Sequence, residues 1–585
     1  MSDPLHVPGS AQAGPGSLLG PEQRAWAWER LGSDQFDVVV IGGGVVGSGS
    51  ALDAATRGLK VAMVEARDFA SGTSSRSSKM FHGGLRYLEQ LEFGLVREAL
   101  FERELSLTTL APHLVKPLPF LYPLTKRWWE RPYVAAGLFL YDELGGAKSL
   151  PGQKHLTRAG ALRLSPGLKR SALIGGIRYY DTVVDDARHT MTVARTAAHY
   201  GAVVRASTQV VSLLREGDRV TGVRVRDSED GAIAEVRGHV VVNATGVWTD
   251  EIQALSKQRG RFQVRASKGV HIVVPRDRIV SDVAVILRTE KSVMFVIPWG
   301  SHWIIGTTDT DWGLDLAHPA ATKADIDYIL GTVNTVLATP LTHADIDGVY
   351  AGLRPLLAGE SEDTSTLSRE HAVAVPAPGL VAIAGGKYTT YRVMAADAID
   401  TASQYVPARV APSVTEKVPL LGADGYFALV NQTEHVGALQ GLHPYRVRHL
   451  LDRYGSLISE VLAMATDRRD LLDPIASAPG YLRVEAAYAA DAEGALHLED
   501  ILARRTRIAI EYSHRGVDCA REVADIVAPL LGWTAADVGR EVATYTARVE
   551  AEVLSQAQPD DASADALRAT APEARMEILE PVPLN

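Results

Sequence analysis

The chain has 585 residues, 46% hydrophobic and 22% charged, the balance of a packed soluble protein rather than a disordered one. A net charge of −10 supplies no bulk basic field, so nucleic acid is not an expected partner. One cysteine, Cys519, excludes an internal disulfide and a cysteine-built metal site, and no metal is expected.

In chain order, residues 1–32 read as a flexible tail, rich in Gly, Pro and Ser and lacking the apolar core of a secretory signal. Residues 33–400 mix short β-branched runs with glycine turns and helical patterns, which predicts an α/β domain. Its strands are expected at 36–41, 60–65, 203–206, 220–225, 238–243 and 380–384. Pro407, Pro412 and Pro419 mark a boundary, after which 401–555 carries apolar residues at helical spacing, as in 498–510 and 523–531. Within it, Arg504, Arg505 and Arg507 read as surface or interdomain ion pairs. Residues 556–585 are Ala-, Asp- and Pro-rich and are expected to be disordered. No stretch approaches the roughly 20 apolar residues that a membrane span needs. Between Lys116 and Tyr141, however, Lys126, Arg127 and Arg131 mix with Trp128, Trp129 and Tyr133, a composition suited to a lipid headgroup surface.

The strongest local signal is the apolar run 36–41 followed by GxGxxG at Gly42, Gly44 and Gly47, a helix, a second strand and Glu65. Gly42 permits the tight turn, Gly44 lets a pyrophosphate reach the backbone, and Gly47 lets helix and strand pack closely. The helix N-terminus offers free N–H groups and a partial positive charge. Glu65 stands where an acid accepts hydrogen bonds from an adenosine ribose and disfavours a 2′-phosphate, so NADP is not expected. Three further segments decide between NAD and FAD. The small-hydroxyl loop 70–79 offers Thr73, Ser74 and Ser78 to phosphate or ribityl oxygens. The run 240–246 ends at Gly246 beside a dinucleotide. A third strand ends in Gly385-Gly386-Lys387, and a helix from about Tyr388, with Thr389 beside its start, would aim its positive end at a flavin ring, whose reduced anion gains from it.

These segments together resemble the FAD-dependent glycerol-3-phosphate dehydrogenases. Residues 41–58 resemble that family's first signature, 385–395 its second, and 74–88, with His82-Gly83-Gly84-Leu85-Arg86-Tyr87, the block between them. The likeness continues through Ser267-Lys268-Gly269-Val270-His271, Gly306-Thr307-Thr308-Asp309 and Gly352-Leu353-Arg354-Pro355, over roughly 35–530. It implies a Rossmann-like FAD-binding domain, an antiparallel-sheet substrate domain and a C-terminal helical cap. It also implies oxidation of sn-glycerol 3-phosphate to dihydroxyacetone phosphate, a hydride moving from C2 to flavin N5. Electrons then pass to a membrane quinone, in glycerol catabolism, by a cytoplasmic protein peripheral to the inner face of the membrane. A homodimer is compatible with it, and the absence of a Ca-binding EF-hand pattern separates the chain from the mitochondrial form.

By the same resemblance Arg86, Tyr87, Arg354 and Lys387 line the substrate pocket. A phosphate dianion suits an arginine fork and a lysine point charge. The base is His271 or His82, since imidazole serves near neutral pH. Arg354 is the alternative catalytic group, lowering the hydroxyl's pKa by its charge. Three rivals stay open: an oxidase using oxygen, an amino-acid-oxidase-like enzyme, and a flavin-fold binding protein without turnover.

Overall fold

The computed structural model describes residues 15–84, 92–125, 130–145, 149–256, 263–289, 293–358 and 370–576. Helix α1 (Pro21–Ser33) leads into strand β1 (Gln35–Ile41), helix α2 (Val45–Thr56) and strand β2 (Val61–Val64). β1 pairs in parallel with β2 on one side and with Ile233–Asn243 on the other, which in turn pairs in parallel with Leu380–Gly385. Register places Ile41 beside Val64 and Asn243, and Asn243 beside Ala382, so three strand ends open onto one edge. Ligands of doubly wound sheets bind at that carboxyl edge.

The apolar run 38–41 serves both faces of this sheet. Val38 and Val40 pack under α2 with Ala51, Leu52 and Ala55, while Val39 and Ile41 pack against Ala27 and Leu31 of α1 and the antiparallel meander that carries Val210, Leu213 and Val223. A strand buried on both sides reads as a continuous apolar run for this reason.

Among the described residues the second sheet has ten strands. Its long strand Val264–Pro275 is antiparallel to His302–Gly306 and to Gly348–Leu357. One neighbouring pair is parallel, Ala284 beside Phe120. Side-chain alternation sends Val270, Ile272 and Val274 into one core, leaving His271 on the opposite face beside Tyr350. From Tyr426 onward the chain is mostly helical around two apolar cores, one holding Val447, Leu451 and Tyr488, the other Cys519, Val523 and Tyr545. The architecture is α/β, a Rossmann-like domain with a mainly antiparallel second sheet and a helical C-terminal domain.

Three expectations are corrected. Residues 21–33 are not a flexible tail. Pro21 starts a helix whose Ala27 and Leu31 are buried, Arg24 pairs with Asp227 at 2.7 Å, and Trp28 lies under Arg205. Nor is 556–576 loose. Asp560 caps a helix at Asp561–Arg568, Arg575 pairs with Asp500 at 2.8 Å, and the Met576 N–H donates to Ser228. Composition hid both segments because few apolar residues, Ala27 and Leu31 in one and Ala564 in the other, anchor them, and the charge pairs that complete the anchoring lie far away in the chain. The expected helix over 498–510 is instead a π-turn at Asp500–Arg505 and a short helix at Ile508–Glu511.

No helix among the described residues is long and apolar enough to cross a membrane. Of the basic–aromatic stretch, Phe120 and Tyr122 are buried in a strand and Lys116 pairs with Asp452. Lys126, Arg127, Trp128 and Trp129 lie outside the described residues. Tyr133 and Phe139 stand exposed on the helix Glu130–Gly145.

Candidate active site

A cavity of about 580 Å³ runs from the β1–α2 turn to the second sheet. Gly42, Gly44 and Glu65 line one part of it. Thr73, Ser74, Ser78 and Gly246 line it too, as do His82, His271, Arg354, Gly386, Lys387 and Thr389. The fold thus brings together residues spread over almost 350 positions. Gly47 lies just behind the wall, and Arg86 and Tyr87 lie outside the described residues.

The glycines divide the work as their spacing suggests. Gly42 takes φ +107°, a conformation side chains rarely adopt, and a Cβ on Gly47 would sit 2.0 Å from the Gly42 carbonyl oxygen. Gly44, by contrast, has room: a Cβ there meets only the Ser74 hydroxyl, at 3.2 Å, so the space is kept for something else. Glu65 accepts from the Gly43 N–H at 2.6 Å and the Arg67 N–H at 2.9 Å. Each carboxylate oxygen keeps a lone pair for a ligand hydroxyl. Burial pushes the Glu65 carboxyl up, against those two donors. Ser74 Oγ accepts from the Val45 N–H at 2.9 Å, fixing the small-hydroxyl loop on the start of α2.

At the other end, His271 is almost fully buried, with its ring stacked on Tyr350, centroids 4.8 Å apart. Its Nε2 lies 2.9 Å from Ser78 Oγ. Burial pushes this imidazole well below its ordinary value, and the Arg354 and Lys79 charges push it the same way, so the ring is neutral at pH 7. Arg354 lies across Gly269, where a Cβ would come 2.5 Å from its Nη2. That nitrogen donates to Thr307 Oγ1 at 3.0 Å and the Thr308 carbonyl at 3.2 Å, and Nη1 reaches Asp309 at 3.4 Å. His82 is held by its backbone, whose N–H donates to Thr389 Oγ1 at 3.2 Å, with its ring edge toward Phe295. Gly385 and Gly386 take φ +78° and +76°, turning the chain so that Lys387 enters the cavity wall before the helical segment from Tyr388.

The residues behind this wall carry no sequence motif. Arg507 pairs with Asp185 and Asp186, at the start of the helix Asp186–His199, and Arg504 and Arg505 pair with Asp68, all as buried ion pairs between the two domains, while Lys79 pairs with Asp186 within the first. The three arginines are thus interdomain rather than surface residues. Tyr350 could have been found from strand register, since it stands directly opposite His271. Arg67 over Trp248, 5.8 Å from the ring centroid, has no signal along the chain at all.

A glycine turn at the carboxyl edge, with an acid beside it and a neutral imidazole and cations at the far end, defines a dinucleotide-dependent oxidoreductase. Residues 37–392 match the family model of FAD dependent oxidoreductases, and 413–538 match that of the C-terminal domain of alpha-glycerophosphate oxidase. The chain is 87% identical, over the full length of both, to glycerol-3-phosphate dehydrogenase 2 of Mycobacterium bovis. It is 36% identical to the mitochondrial glycerol-3-phosphate dehydrogenase of Homo sapiens, over 88% of this chain and 73% of that one. The solved glycerol-3-phosphate dehydrogenase of Bacillus halodurans, complexed with FAD, superposes with a TM-score of 0.75 at 28% identity, over 92% of this chain and 98% of that one. The chain belongs to the FAD-dependent glycerol-3-phosphate dehydrogenase family. FAD is its cofactor, and the residues present fit it: the space over Gly44, an α2 N-terminus whose cap residue is a glycine with no side chain, and the acid at 65 accommodate an adenine dinucleotide.

The two glycines are expected to fail differently. Gly44→Val should fold and purify colourless, since its side chain takes the space of the pyrophosphate. Gly47→Val should lose soluble protein, because its clash is with the Gly42 backbone. Flavin absorbance per mole of purified protein checks this; a normally yellow Gly44→Val would remove the cofactor role from this turn.

Proposed function

We propose that the protein oxidises sn-glycerol 3-phosphate at C2 to dihydroxyacetone phosphate in glycerol catabolism, with a quinone as the final electron acceptor. The observation that carries this reading is that Arg354, Lys387 and His271 line the same cavity as the dinucleotide turn. Arg354 and Lys387 hold the phosphate, the first through its fork and the second as a point charge. Arg86 and Tyr87 join them by their place in the sequence block. Thr307, Thr308 and Asp309 fix the orientation of the Arg354 fork. His271, its ring oriented by the contact of Nε2 with Ser78 Oγ, is the acceptor for the proton of the C2 hydroxyl. Bound FAD supplies, at N5, the acceptor for the hydride from C2. The buried wall around His271 and Tyr350 keeps water from the reacting carbon. His82, held through its backbone at Thr389, orients substrate rather than taking the proton.

Three cationic side chains favour a phosphate over an amino acid's single carboxylate, and a charged set in the same cavity as the dinucleotide turn speaks against a binding protein without turnover. The choice of quinone over oxygen follows the resemblance. Exposed Tyr133 and Phe139 support a lipid-facing surface from which a membrane quinone is reached. Anaerobic mixing of the yellow holoenzyme with glycerol 3-phosphate should bleach the flavin, and glycerol should not. Liposomes of anionic lipid carrying a long-chain quinone should bind the enzyme and restore the colour. Bleaching by glycerol at an equal rate would overturn the phosphate site. Rapid peroxide formation in air would replace quinone by oxygen, and failure to sediment with the liposomes would remove the lipid surface.

A further inference from the structure

The loop 74–79 faces two ways. On the cavity side, Ser74 holds the start of α2 and Ser78 holds His271 Nε2. Positions 75 and 79, and 77, which also lines the cavity, are tied to a buried cluster of charge behind it. Ser77 donates its N–H and its hydroxyl to Asp186 Oδ2, at 2.9 and 2.7 Å. Lys79, fully buried, places Nζ 2.8 Å from Asp186 Oδ1 and 3.0 Å from the Ser75 carbonyl oxygen. Lys79 itself takes φ +57°, so the turn after Ser78 depends on this tether rather than on intrinsic preference.

Asp186 would not be a stable acceptor alone, since two adjacent buried carboxylates, Asp185 and Asp186, repel each other. The group that joins them comes from the other domain. Arg507 donates to Asp185 Oδ1 and to Asp186 Oδ1, each at 2.5 Å, and its Nη1 reaches the same Ser75 carbonyl at 3.3 Å. Arg453, the next cation on Asp185, is 3.6 Å away and makes no contact with Asp186 among the described residues. Just before Arg507 in the chain, Arg504 and Arg505 hold Asp68, close to the adenosine acid Glu65.

We propose that Arg507, in the C-terminal domain, is a positioning residue for oxidation at C2: through Asp186 and the Ser75–Lys79 turn it sets Ser78 and hence the orientation of His271. This rests on the reading of His271 as the proton acceptor, and it gives the helical domain a part in the chemistry rather than in folding alone. A guanidinium suits this place because Nη2 bridges the two carboxylates while Nη1 reaches the Ser75 carbonyl, two separated donor positions that a single ammonium does not offer.

The test is a double-mutant cycle on the holoenzyme, read as the rate of flavin bleaching by glycerol 3-phosphate without oxygen. Arg507→Lys keeps the charge and should slow bleaching about tenfold, with flavin content unchanged and KM within about twofold, as expected for a reacting group misplaced at a distance. In a His271→Ala background the same change should cost less than about twofold, because the group it positions is gone. Ser77→Ala, which removes one hydroxyl from the other end of the tether, should show the same non-additivity. If Arg507→Lys yields no folded holoenzyme, the Ser77→Ala cycle decides the question in its place. An equal slowing in both backgrounds would make Arg507 merely structural, and no slowing with His271→Ala strongly impaired would remove its role altogether. If His271→Ala bleaches at the normal rate, the proton-acceptor reading itself falls, and the positioning role with it.

Discussion

Replacing His271 by alanine is expected to slow flavin reduction by glycerol 3-phosphate about 10²–10⁴-fold while leaving FAD bound, the range seen when a positioned general base is removed. The side chain makes none of the contacts of Glu65 or of the glycine turn that fit the adenine dinucleotide, so FAD is expected to stay bound. The pH profile distinguishes a base from a mere contact. Burial, with Arg354 and Lys79 nearby, holds the imidazole well below its ordinary value. Lowering the pH therefore protonates it late. In the wild type, the acid limb of kcat/KM should fall below the usual histidine value of about 6.5, and His271→Ala should abolish that limb. A modest KM effect with the limb intact would make His271 a substrate contact. A large effect in His82→Ala instead would exchange the two roles. If neither variant is impaired, the proton leaves to solvent with the help of Arg354.

The parts of the molecule readable from sequence are those where local chemistry and tertiary role coincide. The β1–α2 turn is one: its glycines are demanded by backbone geometry within a single supersecondary unit, so spacing alone exposes them. The strand 38–41 is another, since burial on both faces leaves a continuous apolar run. His271, Arg354 and Lys387 are legible as members of sequence blocks, but their convergence is a property of register: Gly269 faces Gly352, which lays Arg354 over a position with no side chain. Long-range charge is what the sequence conceals. Asp68, Asp186 and Arg507 carry no pattern of their own, and each becomes meaningful only against a partner hundreds of residues away. The same holds for Arg575 on Asp500, which turns an apparently loose C-terminal segment into packed structure. Composition places such residues at the surface, because a charge is rarely buried unless it is paired, and the pairing is invisible along the chain.

Arg354→Ala should cost about 2–5 kcal/mol in kcat/KM for glycerol 3-phosphate, the usual loss when one partner of a desolvated charge pair is removed. Its phosphate contact exists before and during the reaction, so most of the loss should appear as a raised KM rather than a lowered kcat. A second effect follows from its position. The Arg354 charge is one of the causes that depress the His271 imidazole. Without it, the acid limb of kcat/KM should move upward, yet stay below about 6.5 because burial, the larger cause, is untouched. Arg354→Lys separates the two functions: it keeps a positive charge near His271, so the limb should hold its place. It loses the fork that Thr307 and Thr308 orient, so KM should still rise. Steady-state kinetics across pH for the three proteins gives both readings. An unchanged KM in Arg354→Ala would take the phosphate away from this side chain. A limb that moves equally in Arg354→Ala and Arg354→Lys would mean that geometry, not charge, couples the arginine to the histidine.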